Sequence, residues 1–391
     1  MAATLMRRWF PTTSHPLVIS APMDFVTNAR LATEVTKAGG LGFIQGGRDF
    51  KPGSALVTKT LDEQLTTARK LLAGHLGSAN GCNSSATLPL GVGFVAYDAS
   101  AVEHFNSTTL PILARHRPCV VWLFAPSPER PGTIRKIVEA LRQAAAVATA
   151  AALSSGSSGG DGGDREVLGP WDLHIAVQVG TVEAARQAVA DGADIIVAQG
   201  VDAGGHQFAS GAGIVSLVPE IADMLSSMTE DGRSDGGTRE IALWAAGGIV
   251  DGRGVAAALA LGADAAVLGT RYMVATESDA QDFKRQAILS TSDGGQNTVK
   301  AYIHDHVQGN HSWPEFYDGR AIVHPSYTDH VGGLSLDENK AMFKKAKDRG
   351  EVSRMVTWSG TGVGLVREEL PAAEITRKVR EEAAKVMKGL R

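Results

Sequence analysis

The sequence has few cysteines, no marked excess of charge of either sign, and no long apolar run. Cys82 and Cys119 are the only cysteines among 391 residues, and their spacing fits neither a metal site nor a disulfide framework. We therefore expect no metal, a reducing compartment and a cytoplasmic protein. The 38 basic and 42 acidic residues leave a net charge of −4, which gives no indication of a nucleic-acid partner.

The apolar stretches are too short to cross a bilayer, so we expect no membrane-spanning segment. Residues 1–10 include Arg7 and Arg8 but are not followed by an apolar core. This pattern predicts no secretory signal, and a short mitochondrial presequence stays an open alternative.

Glycine is abundant, with 45 residues, and many glycines follow short apolar segments. Eight such segments are brief and β-branched, as expected of buried parallel strands, and most are followed by a segment with helical periodicity. The predicted strands are 17–23, 41–47, 90–95, 119–124, 173–179, 194–198, 241–246 and 264–268. Eight strand–helix units in about 250 residues predict an α/β protein with a (β/α)8 TIM-barrel fold. A doubly wound open sheet is the alternative, but no early Gly-x-Gly-x-x-Gly turn supports it.

Two segments interrupt the strand–helix alternation. Residues 154–164 read SSGSSGGDGGD, which predicts a flexible surface insertion within one barrel. Residues 277–350 are polar and helical in character, and we expect a helical C-terminal insertion or subdomain there. This segment is either a lid over the barrel or an ordinary packed extension, and the barrel itself would comprise 1–276 and 351–391. A charged amphipathic helix is expected near 368–388.

The turn after the sixth predicted strand presents a histidine. Gly204 and Gly205 allow unusual backbone angles and a close approach to a flat ligand. His206 follows them, just beyond the carboxyl end of the strand, where β/α barrels place catalytic groups. Histidine is well suited to transfer protons near neutral pH, so His206 is the candidate catalytic residue. The alternative is a loop histidine bonded to a neighbouring carbonyl group.

Paired small residues also follow the last two predicted strands. Gly247 and Gly248 follow the seventh strand, and Gly269 and Thr270 follow the eighth. Loops at these two positions commonly hold a phosphate in β/α barrels, because their backbone N–H groups favour an anion. These four residues are therefore candidate phosphate contacts. Each turn taken alone could serve only to close the barrel.

Two other strand ends carry candidate contacts to a flat ring. Gln178 near the end of the fifth strand offers a neutral amide to a heterocycle. Pro22 and Met23 at the end of the first strand offer backbone groups and a polarisable thioether. The alternatives are a core glutamine and an ordinary strand-ending proline beside a core methionine.

Five stretches together resemble a known family, the nitronate monooxygenases, formerly called 2-nitropropane dioxygenases. They are APM, AGGLGFIQGG, VQVGTVEAARQAVADGADIIVAQGVDAGGH, AAGGIVDGRGVAAALALGADAAVLGTRY and WSGTGVGLV, which run in order from residue 21 to residue 366. The stretch that ends in AGGH is the most specific. The glycine turns also occur in other flavin barrels, including flavin-dependent enoyl reductases.

The resemblance implies a barrel that holds FMN non-covalently and oxidises alkyl nitronates with O2 to carbonyl compounds and nitrite. His206 would then be the catalytic base or orient the substrate. Gln178 would contact the flavin and Met23 would lie near its ring. The residues around the phosphate and ribityl chain would be Gly205, Gly248, Gly269 and Thr270. The partners would be a small nitronate and O2, and the chain would be a monomer or homodimer.

The sequence departs from the family pattern at two positions. Gly93 stands where relatives often have asparagine, and Asp202 stands where they often have glutamate. At Gly93 one flavin contact would therefore be lost or supplied by another residue, whereas the change at Asp202 is mild. Two other functions remain open from the sequence: an NAD(P)H-dependent flavin reductase of the enoyl-reductase type, and a non-catalytic flavin-binding barrel.

Overall fold

A computed structural model describes residues 2–54, 59–79, 87–155, 170–230 and 239–389. Its central sheet comprises β1 (Val18–Ser20), β2 (Phe43–Gly47), β3 (Leu88–Val95), β4 (Pro118–Phe124), β5 (His174–Val179), β6 (Ile195–Gln199), β8 (Ala242–Ala246) and β9 (Ala265–Leu268). A second sheet comprises β7 (Gly205–Phe208), β10 (Thr298–Lys300) and β11 (Tyr317–Ile322).

The eight strands of the central sheet pair in parallel, in the order β1-β9-β8-β6-β5-β4-β3-β2. The two ends of this order are joined by a parallel bridge between Ile19 and Leu41, which nearly closes the sheet into a barrel. The predicted (β/α)8 barrel is therefore confirmed. Each predicted strand boundary lies within three residues of the observed boundary.

The helices in the first part of the chain are α1 (Ala2–Trp9), α2 (Ala29–Lys37), α3 (Leu61–Ala79), α4 (Ser100–Thr108), α5 (Leu110–His116), α6 (Thr133–Ser155), α7 (Val182–Ala190), α8 (Ile214–Glu230), α9 (Gly252–Ala260) and α10 (Thr270–Met273). Those in the later part are α11 (Asp282–Ser290), α12 (Gly294–Asn297), α13 (Ile303–His306), α14 (Pro325–Val331), α15 (Leu336–Asp348) and α16 (Ala372–Gly389). Short 3-10 turns cover Val352–Arg354 and Thr361–Leu365.

Side-chain caps fix the beginnings of several barrel helices. Asn28 accepts a hydrogen bond from the amide of Leu31 at 2.9 Å, and Thr181 accepts one from Ala184 at 3.1 Å. These bonds satisfy amides that have no partner within the helix. Each cap sits in a βα loop, so it also fixes the direction in which the chain leaves the strand.

Helix α1 was not predicted, and it packs against the side chains of the barrel interior. Met6 is fully buried, Phe10 just beyond the helix is 3% exposed, and both pack in the cluster that contains Trp122 and Trp244. The indole nitrogen of Trp244 lies 3.4 Å from the sulfur of Met6. Met6 and Phe10 are spaced by one helical turn, so both fall on one face of α1 and its immediate continuation.

The segment 277–350 contains helices, as expected, and also two strands that were not predicted. β11 pairs antiparallel with β10 and with β7, so the segment shares a sheet with the loop that carries His206. Residues 156–164 of the predicted insertion lie outside the described residues, as does Cys82. Residues 154 and 155 belong to the end of α6.

Two buried histidines hold part of this segment together. The Nδ1 atom of His304 lies 2.9 Å from Nε2 of His324, and Nε2 of His304 lies 3.0 Å from the carbonyl oxygen of Val299. If His304 donates to Val299, its Nδ1 accepts a hydrogen bond from neutral His324. Burial lowers the pKa of His304 to about 4, and burial and the neighbouring His304 lower the pKa of His324 to about 3.

This pair predicts a loss of stability in mild acid. Unfolded histidines take up protons below about pH 6.5, whereas the folded pair resists protonation until its own lower pKa is reached. The free energy of unfolding should therefore fall as the pH drops from 6.5 towards 4, by about 2 kcal/mol at pH 5 for His304 alone.

The variant H304Q should weaken this pH dependence, because its amide can donate to Val299 and accept from His324 without titrating. Urea unfolding at pH 7 and pH 5 measures the difference for both proteins. H330Q, at a neighbouring exposed histidine, is the control and should keep the wild-type difference. An unchanged difference in H304Q would contradict the assignment.

Candidate active site

The loop between β6 and β8 is held against the carboxyl end of the barrel. The amide of Gly200 donates to the carbonyl oxygen of Ala246 at 2.9 Å, and the guanidinium of Arg320 donates to that of Val201 at 3.0 Å. The side chain of Gln199 donates to the carbonyl oxygen of His206 at 3.2 Å. These bonds fix the backbone on both sides of Gly204 and Gly205.

His206 lies on β7 rather than in the glycine turn itself, which corrects the expected local structure. It pairs with Gly319 of β11. A side chain at Gly319 would lie 2.4 Å from the ring of Trp358, so glycine leaves room for that indole. Sequence reasoning placed His206 in a turn because the strand that pairs with it comes more than 100 residues later.

The imidazole of His206 is held by a carboxylate and two indoles. Its Nε2 lies 2.8 Å from Oδ2 of Asp305, whose other oxygen accepts a hydrogen bond from Asn310 at 3.0 Å. The ring stacks on Trp313 with centroids 3.8 Å apart and an interplanar angle of 8°, and Trp358 lies 4.7 Å away. The alternative of a loop histidine bonded to a carbonyl group is therefore wrong.

The contact with Asp305 determines which imidazole nitrogen can accept a proton. A carboxylate accepts hydrogen bonds, so Nε2 carries the proton in the neutral ring. Nδ1 is then the basic nitrogen, and it makes no hydrogen bond within the described residues. Sequence reasoning did not identify Asp305, because 99 residues separate it from His206.

A cleft lies at the ends of the first five barrel strands, and two predicted site residues line it. Pro22 and Gln178 are joined there by Gly93, Trp122 and Phe124, among others. The side-chain oxygen of Gln178 accepts a hydrogen bond from the indole of Trp122 at 3.0 Å, which leaves the amide nitrogen as the group that can donate to a ligand. Trp313 connects this cleft to His206, because its ring centroid also lies 6.2 Å from that of Phe124.

Gly93, one of the two departures from the family pattern expected from the sequence, lies against Pro22. A Cβ atom at this position would lie 2.4 Å from Cγ of Pro22. A larger side chain would therefore displace Pro22 from the wall of the cleft. Asp202, the other departure from the expected family pattern, contacts a loop distant in sequence. Its backbone carbonyl oxygen accepts a hydrogen bond from the amide of Thr361 at 3.0 Å.

Two of the predicted phosphate residues, Gly248 and Thr270, lie beside residues 359–361, and so does Gly204. A Cβ atom at Gly204 would lie 2.4 Å from the carbonyl carbon of Ser359, and Thr270 accepts a hydrogen bond from the amide of Gly360 at 3.0 Å. Gly247 and Gly248 have φ angles of 116° and 70°, which L side chains rarely adopt. The two glycine turns and the loop after β6 thus lie beside the same segment.

Two details of this junction suit a phosphate or sugar chain. The hydroxyl of Ser359 is buried and has no hydrogen-bond partner among the described residues. A Cβ atom at Gly269 would make ordinary contacts, with the sulfur of Met23 at 3.6 Å and the Cβ atom of Ala21 at 3.9 Å, and would clash with neither. Met23 thus lies beside Gly269, and Ser359 is a candidate donor that sequence reasoning missed.

One lysine and one aspartate near His206 form an ion pair. Lys300 lies 3.3 Å from Asp318, and burial raises the pKa of Asp318 despite the opposing effects of Lys300 and Arg320. Across the described ranges, no group of three or more His, Cys, Asp or Glu residues is placed to hold a metal ion. Within the same ranges, no helix is both long and apolar enough to cross a membrane.

Comparisons with known proteins identify a family that matches this chain. Residues 169–382 match the family model described as nitronate monooxygenase. A nitronate monooxygenase from Neurospora crassa is 44% identical over 400 aligned positions, covering 100% of this chain and 94% of the relative.

Two solved structures share the fold. FabK from Thermotoga maritima has a TM-score of 0.65 at 20% identity and covers 99% of this chain and 97% of its own. Nitroalkane oxidase from Streptomyces ansochromogenes has a TM-score of 0.65 at 23% identity and covers 99% of each chain. At these identities the two structures support the fold alone. The family match and the full-length relative show that this chain is an enzyme that belongs to the nitronate monooxygenase family.

Proposed function

We propose that this chain is an FMN-dependent enzyme that oxidises alkyl nitronates with O2 to carbonyl compounds and nitrite. The observation that carries the proposal is the His206–Asp305 pair, 2.8 Å apart, beside glycine-rich loops at the carboxyl end of the barrel. Family membership favours this reaction over the reductase and over a non-catalytic barrel. The cytoplasmic location and the monomeric or homodimeric state stay predictions.

The residues at the barrel rim fit FMN. Gly269, which has no side chain, the positive φ of Gly248 and the unpaired hydroxyl of Ser359 would accommodate the phosphate and ribityl chain. Gln178, in the cleft, would donate to the ring edge. Bound FMN would supply the electron transfer to O2, and the protein would supply orientation and charge.

His206 would act on substrates that arrive in the neutral form. A nitroalkane must lose its α-proton, and Nδ1 of His206 is the nitrogen that Asp305 leaves unprotonated. The imidazolium formed in this way would be stabilised by Asp305 and would attract the nitronate anion. A nitronate supplied directly needs no proton removal, so it would depend on His206 only for placement.

The variant D305N tests whether the carboxylate of Asp305 stabilises the protonated form of His206. An amide of the same shape does not stabilise the imidazolium, so kcat/KM for a nitroalkane should fall about 10-fold, while that for the nitronate should change by less than about 2-fold. Steady-state oxygen consumption with each substrate measures both values. D329N, which alters a carboxylate paired with Arg354 in the same segment, is the matched control. Equal losses on both substrates would contradict the assigned role.

An anaerobic titration tests the reaction itself. The purified yellow protein receives an alkyl nitronate in one cuvette and NADPH in another, and the flavin absorbance is recorded. Bleaching by the nitronate and not by NADPH is the expected result. Rapid bleaching by NADPH alone would favour the reductase, no change with either would favour a binding protein, and purification without flavin would remove the cofactor assignment.

A further inference from the structure

Trp313 contacts His206 with a geometry that hydrogen bonding does not explain. The indole and imidazole rings are nearly parallel, at 8°, and their centroids are 3.8 Å apart. Asp305 lies at the Nε2 edge of the imidazole, so the carboxylate and the indole contact different parts of the ring. An aromatic face attracts a cation placed over it, and this attraction arises in His206 only when the imidazole is protonated.

The position of Trp313 is fixed from both sides. The preceding residue, Ser312, lies 2.8 Å from the hydroxyl of Tyr97 and donates to Asn310 at 2.8 Å, and Asn310 in turn donates to Asp305. The rings of Tyr97 and Phe124 lie 4.7 Å and 6.2 Å from that of Trp313. A chain of hydrogen bonds therefore links the loop after β3 to the carboxylate that holds His206, with Trp313 adjacent to that chain.

We propose that Trp313 is a positioning residue, which fixes the plane of His206 and stabilises the imidazolium formed when His206 takes the substrate α-proton. This inference rests on the proposed role of His206 as the base. The aromatic face acts through His206 and has no part in the reaction of a nitronate supplied directly. Its removal should therefore affect nitroalkane turnover selectively and should weaken the base.

The test compares W313L and W313F with the wild-type enzyme. W313L keeps an apolar side chain without an aromatic face, so the pH profile of kcat/KM for a nitroalkane should move to lower pH by about 0.5 to 1 unit. The plateau of that profile should fall about 5-fold, and kcat/KM for the nitronate should stay within about 2-fold of the wild-type value. W313F, which keeps a weaker aromatic face, should show less than half of the shift. F316L, at an exposed aromatic on the same segment, is the control.

A second readout does not depend on turnover. Histidine labelled with 13C and 15N is introduced into the holoprotein, and the imidazole resonance that disappears in H206N is followed from pH 5 to pH 9. Its titration midpoint should move to lower pH in W313L, and the neutral ring should show the nitrogen shifts of the tautomer protonated at Nε2. If W313L does not fold, incorporation of 5-fluorotryptophan weakens the aromatic face without removing it, with labelled W313F as the control.

The outcomes separate this inference from the proposed function. A wild-type midpoint and a wild-type pH profile in W313L, with nitroalkane turnover lost in H206N, would overturn the role of Trp313 alone. Wild-type nitroalkane turnover in H206N would remove His206 as the base and with it the catalytic part of the inference. A shift in both readouts for W313L and in neither for F316L is the expected result.

Discussion

Replacement of His206 by asparagine is expected to lower kcat/KM for neutral nitroalkanes by about 10²- to 10⁴-fold, the usual contribution of a positioned general base. The same variant should oxidise preformed nitronates within about 3-fold of the wild-type rate, because the α-proton is already gone. Asparagine keeps a polar group at the position but cannot take up a proton near neutral pH. Oxygen consumption with a nitroalkane and with its nitronate at one pH measures both rates.

The control for this experiment is H311N. His311 belongs to the same segment as Asp305 but is exposed and lies 3.0 Å from the amine of Lys340. It should retain wild-type turnover of both substrates. Wild-type nitroalkane turnover in H206N would remove the base assignment, and equal losses on both substrates would assign His206 to substrate binding instead.

The barrel could be predicted from sequence because its strands are buried on both faces. Segments such as 194–198 and 241–246 are short, apolar and bounded by turn residues, so their positions follow from local composition. The caps Asn28 and Thr181 also lie next to the helices that they begin. Local information was sufficient wherever the stabilising contact is close in the sequence.

The parts that were missed depend on contacts between distant residues. β7 exists because β11 pairs with it, and β11 contains Gly319, which is unfavourable in a strand until Trp358 packs over it. Asp305 and Trp313 lie in the segment 277–350, for which the sequence predicted only polar, helical character. Their contact with His206 requires the second sheet, which no local pattern indicated.

The candidate site shows the same division. The glycine turns and His206 were identified from residues that follow predicted strands, and the structure places them at one end of the barrel. The hydroxyl of Ser359 belongs to the late WSGTGVGLV stretch, whose position beside Gly204 could not be deduced from spacing. The family resemblance identified the WSGTGVGLV stretch, but only the structure showed that its Ser359 lies beside Gly204.

Replacement of Gly269 by alanine is expected to weaken flavin binding while leaving the protein folded. The φ angle of Gly269 is −101°, which alanine adopts without strain, and the nearest atom to a new Cβ would be the sulfur of Met23 at 3.6 Å. The added methyl group would therefore make ordinary contacts with Met23 and Ala21 without a clash, but it would crowd the phosphate proposed to lie beside Gly269. Overpacking of this kind costs about 1–3 kcal/mol, so the Kd for FMN should rise about 5- to 150-fold.

Two comparison variants distinguish an effect of a glycine-to-alanine change on flavin binding from an effect on protein stability. G204A should lose both flavin and thermal stability, because its Cβ would lie 2.4 Å from the backbone of Ser359, which cannot move without displacing the loop. G74A, in the exposed part of α3, should keep both. Fluorescence titration with FMN gives the affinity, and thermal unfolding of the flavin-free protein gives the stability. G269A with wild-type stability and wild-type FMN affinity would place the phosphate away from Gly269, whereas lost affinity at unchanged stability would locate it between the last two barrel strands.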